Sequence, residues 1–279
     1  MLIEIIKFII YSIFIVIISK YVLVTTLRKL AESLKLKPKT VGNIAGYATS
    51  IPELLTITTS SIRGLSGASV YNIISSNVIN LIQYIGAIAL NKNFDKIKNK
   101  AIITDIILVI FTIIIPIILL KLKVELNLVI VSIFIILYIL FRMINDKVHK
   151  MYLKQEDEKI DYEIEKEEEE ASKNRFQTIK YIIYLIITGV LLYFIGEKLG
   201  NTLENLCKLF NISEAIIGIL LGFTTSIPEL MTFFESQRHY KKQEDDMLGI
   251  VEATNNLLTS NILNLFAIQT IGILISSIL

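Results

Sequence analysis

Two identical hexapeptides carry the residues of this sequence that are best suited to hold a cation. Thr-Ser-Ile-Pro-Glu-Leu occupies residues 49–54 and again residues 225–230, and each copy places one glutamate, Glu53 or Glu229, in an otherwise apolar stretch. A carboxylate in apolar surroundings costs free energy unless a counter-charge accompanies it. We therefore interpret both glutamates as functional residues whose counter-charge is a bound ion.

Each hexapeptide also contains a proline, Pro52 or Pro228, which predicts a break in the helix. Proline has no N–H group and its ring clashes with the carbonyl four residues earlier, so carbonyl oxygens near the preceding threonine are freed. Within a membrane, a freed carbonyl needs protein, water or a cation as its partner. Carbonyl and carboxylate oxygens at one depth together suggest a cation site.

A second repeated segment, residues 71–81 and 255–265, adds hydroxyl and amide oxygens. Asn, Ser and Asn recur there at a spacing of four, which places each set on one helix face. The two sets are Asn72, Ser76 and Asn80, and Asn256, Ser260 and Asn264. Oxygen ligands suit Na⁺ or Ca²⁺, whereas zinc and copper prefer His or Cys. Protons are expected to compete with the ion for the glutamates. The alternative interpretation is that the Ser and Asn side chains only join helices and that proline only kinks them.

The composition of the whole chain favours a membrane protein. With 279 residues, 53% hydrophobic, 19% charged and a mean hydropathy of +0.61, the sequence does not suit an ordinary soluble enzyme, and a net charge of +2 argues against nucleic acid as a partner. Apolar runs of about 20 residues match the thickness of a bilayer. We predict eight spans, at 2–23, 41–62, 68–90, 101–120, 126–144, 178–194, 213–235 and 247–278.

Basic residues predict the orientation and the domain division. Most Lys and Arg residues fall after spans one, three, five and seven, so those connections are expected to be cytoplasmic and both termini non-cytoplasmic. The stretch 145–177 contains an acidic block and is predicted to be a cytoplasmic linker. It separates a first repeat, residues 1–144 with five spans, from a second repeat, residues 178–279 with three. Because five is odd, the second repeat must enter the bilayer with inverted topology, a common plan of secondary transporters.

The two hexapeptides and the following SNVINL and SNILNL segments resemble the cation/calcium exchanger superfamily, and most closely its sodium/calcium exchanger branch. The resemblance implies an all-α membrane antiporter in which two inverted repeats hold Na⁺ and Ca²⁺ alternately. It implies ten cation ligands: Thr49, Ser50, Glu53, Ser76 and Asn80, with Thr225, Ser226, Glu229, Ser260 and Asn264. Asn72 and Asn256 are expected to support these ligands from behind.

The sequence also departs from the family pattern. Ala48, Thr224, Ser75 and Thr259 stand where the family has glycine, which is expected to alter helix contact and ion access. Asn80 and Asn264 both stand where the family commonly has an Asp in at least one copy, so the site offers two carboxylates and not three. This predicts weaker Ca²⁺ binding or a shifted preference among Na⁺, Li⁺, H⁺ and divalent cations. The chain is also two spans short of the ten that the family usually has.

The predicted function is secondary-active antiport of Na⁺ (or H⁺) against Ca²⁺ or a related cation by alternating access. Monovalent Na⁺/H⁺ exchange is a second hypothesis, which fits the absence of an Asp. A non-transporting membrane subunit or ion sensor is a third. Enzymatic activity is not expected, since no nucleophile, base and orienting group converge in one motif. No cofactor is expected; the ligands are the transported ions, and the other partner is the lipid bilayer. The oligomeric state is left open.

Overall fold

The computed structural model describes residues 2–34, 36–62, 64, 66–153, 175–210, 213–241 and 245–278, and the regular structure in these ranges is entirely helical. The helices of the first half are α1 (Leu2–Ile18), α2 (Val24–Ser33), α3 (Pro38–Thr49), α4 (Ile51–Ile62), α5 (Ser66–Leu90), α6 (Lys100–Lys121) and α7 (Leu128–Tyr152). Those of the second half are α8 (Arg175–Phe210), α9 (Glu214–Thr225), α10 (Ile227–Lys241), α11 (Asp246–Leu263) and α12 (Gln269–Ile278). Two π-helical turns, Ser19–Leu23 and Asn264–Ile268, join α1 to α2 and α11 to α12.

Seven helical stretches of the described ranges are long and apolar enough to cross a membrane. The prediction of an all-α, multi-span protein is therefore confirmed, but the number of such stretches is one lower than the eight spans predicted. The difference lies at residues 41–62, which contain α3 and α4 on either side of Ser50 and fall within none of these stretches. The corresponding pair in the second half, α9 and α10, falls within one stretch, Ala215–Lys241.

Outward-facing surfaces of the peripheral helices are apolar. Large hydrophobic side chains such as Ile13 on α1, Ile114 on α6, Ile136 on α7 and Ile187 on α8 are exposed on the surface of the chain. A soluble protein would bury side chains of this kind, whereas a helix in a bilayer directs them towards lipid. These surfaces support the assignment as an integral membrane protein.

The two long helices at one side of the molecule run antiparallel. Near one end, the Asn205 amide of α8 donates to Glu4 of α1 at 3.3 Å, and near the other the Thr178 hydroxyl of α8 donates to Ser33 of α2 at 3.2 Å. An apolar cluster that includes Ile15, Leu23 and Leu192 fills the space between them. Since α1 and α8 open the two halves, their opposite directions are what an inverted repeat requires.

The four inner helices, α3, α5, α9 and α11, form two pairs that approach each other closely in the same way in both halves. Glycines one turn apart bring α3 against α11 (Gly42 and Gly46) and α9 against α5 (Gly218 and Gly222). A Cβ atom on Gly42 would lie 2.3 Å from the Glu252 carbonyl, and one on Gly218 would lie 2.5 Å from the Ala68 carbonyl. Side chains of this kind would push the helix pairs apart, so the glycines fix the close contact in both halves.

The direct contact between α5 and α11 shows the symmetry of the two halves. Asn77 and Asn261 bond reciprocally, since each amide donates to the backbone carbonyl of the other at 3.2 and 3.1 Å. Further along, the hydroxyls of Tyr84 and Thr254 lie 2.5 Å apart. Residue numbers rise on α5 as they fall on α11, so these helices are antiparallel and related by an approximate twofold axis through the asparagine pair.

One end of the bundle, which we call the basic end, contains Arg28 and Arg238, which line one pocket, and Lys39 and Lys100, which contact the C-terminal part of α7. There α7 continues past the predicted end of its span at Ile144, as far as Tyr152, because Asn145 and His149 are buried against α6 and α11 and are not part of a solvated linker. Residues 154–174, which include the acidic block of the predicted linker, lie outside the described residues. The division into repeats at 1–144 and 178–279 remains a prediction, as does the cytoplasmic location of the basic end.

Candidate cation-binding site

Two helix breaks meet at the centre of the molecule. α3 ends at Thr49 and α4 begins at Ile51, while α9 ends at Thr225 and α10 begins at Ile227. The interruption falls two residues before each proline, because Pro52 and Pro228 cannot donate to the carbonyl four residues earlier. The carbonyl end of one helix and the N–H end of the next therefore face each other in both halves.

The two glutamates lie in the first turns of α4 and α10, and both side chains are fully buried. The Glu53 carboxyl group lies beside the hydroxyls of Thr225 and Ser76 and within electrostatic range of Glu229. The Glu229 carboxylate accepts a hydrogen bond from Ser260 at 2.9 Å and lies beside the Thr49 hydroxyl. Each carboxyl group thus lies beside one hydroxyl from its own half and one from the other.

Hydroxyl contacts tie the two halves together at this level. The Ser50 and Ser260 oxygens are 3.0 Å apart, the Ser76 and Thr225 oxygens are 3.3 Å apart, and Ser226 donates to the Ser76 carbonyl at 3.5 Å. The Asn80 amide donates to the Ser260 hydroxyl at 3.4 Å. The structure therefore brings most of the predicted ligands into one contact network, and Asn264 joins it through Asn77.

Several acceptor oxygens of this cluster lack a donor. Both oxygens of Glu53, one oxygen of Glu229 and the amide oxygens of Asn80 and Asn264 are buried and accept no hydrogen bond from any described residue. A buried acceptor without a donor costs roughly 1–3 kcal/mol, and more if it is charged. Five such oxygens on four buried side chains form an electronegative cluster that a dehydrated cation would satisfy.

Two asparagines that the sequence analysis did not assign to the site orient these amide groups. The Asn80 amide nitrogen donates to Asn261 Oδ1 at 3.1 Å, and the Asn264 amide nitrogen donates to Asn77 Oδ1 at 3.2 Å. With the nitrogen held in this way, the oxygen of each amide turns in the opposite direction, where it has no donor. Asn77 and Asn261 thus fix the side of Asn80 and Asn264 that is open to an ion.

Asn72 and Asn256 lie one turn from Ser76 and Ser260 and support the glutamates through two threonines. The Asn72 amide donates to the Thr56 hydroxyl at 2.9 Å, and that hydroxyl donates to the Glu53 carbonyl at 3.0 Å. In the second half, the Asn256 amide donates to Thr232, which donates to the Glu229 carbonyl at 2.7 Å. The same bridge therefore fixes the backbone of both glutamates.

Repetition within the sequence could have identified these additional residues. Asn77 and Asn261, like Thr56 and Thr232, occupy equivalent positions of the two copies. A group formed by Asp105, Asn145 and His149 has no such signal and was missed; His149 lies 2.6 Å from Asp105, to which Asn145 donates at 2.9 Å. The described residues contain no group of three or more His, Cys, Asp and Glu side chains suited to a metal ion. Neutral oxygens must therefore supply most ligands of any bound cation.

Comparison with known proteins finds a matching family and solved structures with a similar fold. A family model described as sodium/calcium exchanger protein matches residues 5–145 and 180–279. A structure of the sodium-calcium exchanger NCX_Mj soaked with 100 mM Na⁺ and 10 mM Sr²⁺ is similar at a TM-score of 0.58 and 20% identity, covering 99% of this chain and 83% of that chain. Another, soaked with zero Na⁺ and Ca²⁺, gives a TM-score of 0.55 at 20% identity and the same coverage. This likeness shows a shared fold. No curated protein matches the chain.

Proposed function

Because the chain belongs to the sodium/calcium exchanger protein family, we propose that it exchanges Na⁺ (or H⁺) for Ca²⁺ or a related cation across a bilayer by alternating access. The observation that carries the proposal is the set of buried acceptor oxygens on Glu53, Glu229, Asn80 and Asn264, which have no donor among the described residues. Carboxylate and neutral oxygens of this kind are the ligands of hard cations.

The ligands that we propose combine the side chains of both breaks with those of α5 and α11. Glu53 and Glu229 supply the negative charge, and the hydroxyls and amides supply neutral oxygens. The ten residues are Thr49, Ser50, Glu53, Ser76, Asn80, Thr225, Ser226, Glu229, Ser260 and Asn264. Because these side chains come from both halves, a relative movement of the halves changes access and coordination together.

The long helices α1 and α8 are the elements that we propose move. They pack on α4 and α9 chiefly through apolar side chains of the cluster around Ile15, Leu192 and Leu221. Apolar surfaces carry few directional bonds, so a helix can shift along such a contact at smaller cost than along a network of hydrogen bonds. The ligand cluster, in contrast, is held by hydrogen bonds and stays in place.

Replacement of the glutamates tests this function. In proteoliposomes with an imposed Na⁺ gradient, Glu53→Gln and Glu229→Gln should each abolish Ca²⁺ uptake, since one of two charges that neutralise the ion is lost. Glu125→Gln changes an exposed glutamate between α6 and α7 and should leave uptake unchanged. Full uptake in both site variants would contradict the proposal.

Monovalent Na⁺/H⁺ exchange is the second candidate, and the observation that favours it is that Asn80 and Asn264 bring no charge to the site. Proton movement driven by a Na⁺ gradient should be measured with and without Ca²⁺. Rapid Na⁺/H⁺ exchange that Ca²⁺ neither drives nor inhibits would favour this candidate over Ca²⁺ antiport.

A further inference from the structure

Of the buried carboxylates among the described residues, two lie at the proposed cation site and have no basic partner. Four carboxylates are buried: Glu53, Asp105, Glu229 and Glu252. Glu252 binds Arg28 through two bonds of 2.5 and 2.7 Å, and Asp105 is bonded to His149 and Asn145. Among the described residues, neither Glu53 nor Glu229 has a basic partner within hydrogen-bonding distance, so the site carries two unpaired negative charges when both are ionised.

No described basic side chain forms an ion pair with either glutamate. Among the described Lys, Arg and His residues, His149 alone is buried, and it is bonded to Asp105. Arg28 and Arg142 are partly buried, but Arg28 is bonded to Glu252, and Arg142 is bonded to the neutral side chains of Asn43, Thr259 and Tyr47. Among the described residues, no basic side chain therefore takes the place of a bound cation at the two glutamates.

The two charges lie in equivalent half-sites. One half-site consists of Glu53 with the hydroxyls of Ser76 and Thr225, and the other consists of Glu229 with those of Ser260 and Thr49. Each offers one negative charge and two neutral oxygens, which suits one monovalent cation. The two half-sites adjoin, since the Asn80 amide, on the helix that carries Ser76, donates to the Ser260 hydroxyl at 3.4 Å, and one divalent cation can therefore be shared between them.

Asn80 and Asn264 add no charge to the proposed cation site, which therefore keeps the charge of the two glutamates. Both are buried in the contact network that contains the glutamates, both have an amide oxygen without a donor among the described residues, and both are neutral. A third monovalent ion at this site would leave one positive charge without a counter-charge in a dry, low-dielectric environment, which is strongly unfavourable.

We propose that this chain exchanges two monovalent cations for one divalent cation and therefore moves no net charge across the membrane. The inference rests on the antiport function proposed above and specifies its stoichiometry. The two loaded states, two monovalent ions or one divalent ion, both neutralise Glu53 and Glu229.

The ratio at which net flux stops tests the stoichiometry directly. Purified protein in liposomes, with equal pH on both sides and the voltage clamped by K⁺ and valinomycin, is given a tenfold Na⁺ gradient, and the Ca²⁺ ratio at zero net flux is measured. A 2:1 exchange balances at a Ca²⁺ ratio of about 100-fold, and a 3:1 exchange at zero voltage balances at about 1,000-fold. One net charge per cycle would also shift the balance by roughly 50-fold for each 100 mV.

We expect a ratio near 100-fold that does not change with voltage. A ratio near 1,000-fold, or one that follows the clamped voltage, would overturn the stoichiometry and leave the antiport function standing. The absence of any Na⁺-coupled Ca²⁺ flux would overturn the antiport function itself.

An added charge tests the role of the asparagines. Asn264→Asp should make exchange voltage-dependent and move the balance towards the 3:1 value, because a third carboxylate can neutralise a third monovalent ion. Asn127→Asp is the matched control; it adds the same charge at an exposed helix N-cap, where Asp caps as well as Asn does, and should leave the ratio unchanged. Asn80→Asp places the same charge in the other half and provides a second test if the first variant does not fold. Voltage-independent exchange at the wild-type ratio in active Asp variants would contradict this role of the asparagines.

Discussion

The centre of the molecule and its basic end differ in how far they follow the repeat. At the centre, the bond from Asn72 to Thr56 is mirrored by the bond from Asn256 to Thr232. At the basic end, the ion pair between Arg28 and Glu252 has no mirror image, because the equivalent positions hold Glu204 and Ala68.

This difference separates the contacts that both halves share from a contact that is specific to one end of the bundle. In the proposed antiport, residues that hold an ion act in the same way whichever side is open, which explains why both copies keep them. A contact that stabilises only one end of the bundle can differ between copies. The Arg28 pair joins the long α1–α2 element to α11 and α10, since Ser236 also donates to Glu252. We therefore expect it to stabilise the state in which this end is closed.

The largest stability effect is expected from loss of the ion pair between Arg28 and Glu252, which has no counterpart in the other half. Arg28→Gln leaves the Glu252 carboxylate buried without its cation and should destabilise the protein by about 3–5 kcal/mol. The equivalent position in the second half is Glu204, whose pair with Lys208 is on the surface, and Glu204→Gln should cost less than about 1 kcal/mol. Thermal denaturation of both variants in detergent measures the difference. Equal losses would show that the two positions do not differ in this way.

A smaller and equal effect is expected from the mirrored glycines. A Cβ atom at Gly46 would lie 2.7 Å from the Thr259 Cβ atom, and one at Gly222 would lie 2.8 Å from the Ser76 backbone nitrogen. Gly46→Ala and Gly222→Ala should each cost about 1–3 kcal/mol in the same thermal assay, because α3 must move from α11, or α9 from α5.

Gly86 provides the matched control for the glycine variants. It lies within α5 with no neighbouring atom within 4 Å of an added Cβ, so Gly86→Ala should be neutral or should stabilise the protein by up to about 1 kcal/mol. If Gly46→Ala and Gly222→Ala were as stable as Gly86→Ala, the close contacts of the inner helices would not depend on glycine.

The smallest effect is expected from the threonines behind the glutamates. Thr56→Val and Thr232→Val keep the shape of the side chain but remove the hydroxyl that accepts from Asn72 or Asn256, and each should cost about 1 kcal/mol. Thr→Ser at the same positions retains the hydroxyl and should largely preserve stability. If the two valine variants lost clearly different amounts of stability, the two halves would not be equivalent behind the glutamates, and their symmetry would extend only to the proposed ligands.

The sequence allowed the fold class and the two glutamates to be identified because both leave periodic or repeated signals. Apolar runs of bilayer length indicated the spans, and two copies of one hexapeptide indicated an inverted pair. The hydroxyl and amide residues followed from the spacing of four and from the family resemblance. Their roles as ligands remain predictions, but their meeting in one buried cluster is a feature of the structure.

Contacts between helices that are far apart in sequence could not be identified in this way. The sequence analysis treated Ser75 and Thr259 as replacements for glycine that would alter helix contact. In the structure, Thr259 faces Gly46 and Ser75 faces Gly222, so the space for the larger residue is supplied by the opposite helix. The pairing of Asp105 with His149 likewise joins α6 to α7, and no pattern within either helix predicts it.

Each carboxyl group lies beside one hydroxyl from the opposite half, that of Thr225 for Glu53 and that of Thr49 for Glu229. A chain with only one half could therefore complete a half-site only beside a second copy inserted upside down. If such a short ancestor existed, it had to insert in both directions and associate as a dimer before gene fusion could join the copies. In one chain that contains both halves, Asn80 and Asn264 are encoded separately, so the charge of the proposed cation site can change one residue at a time.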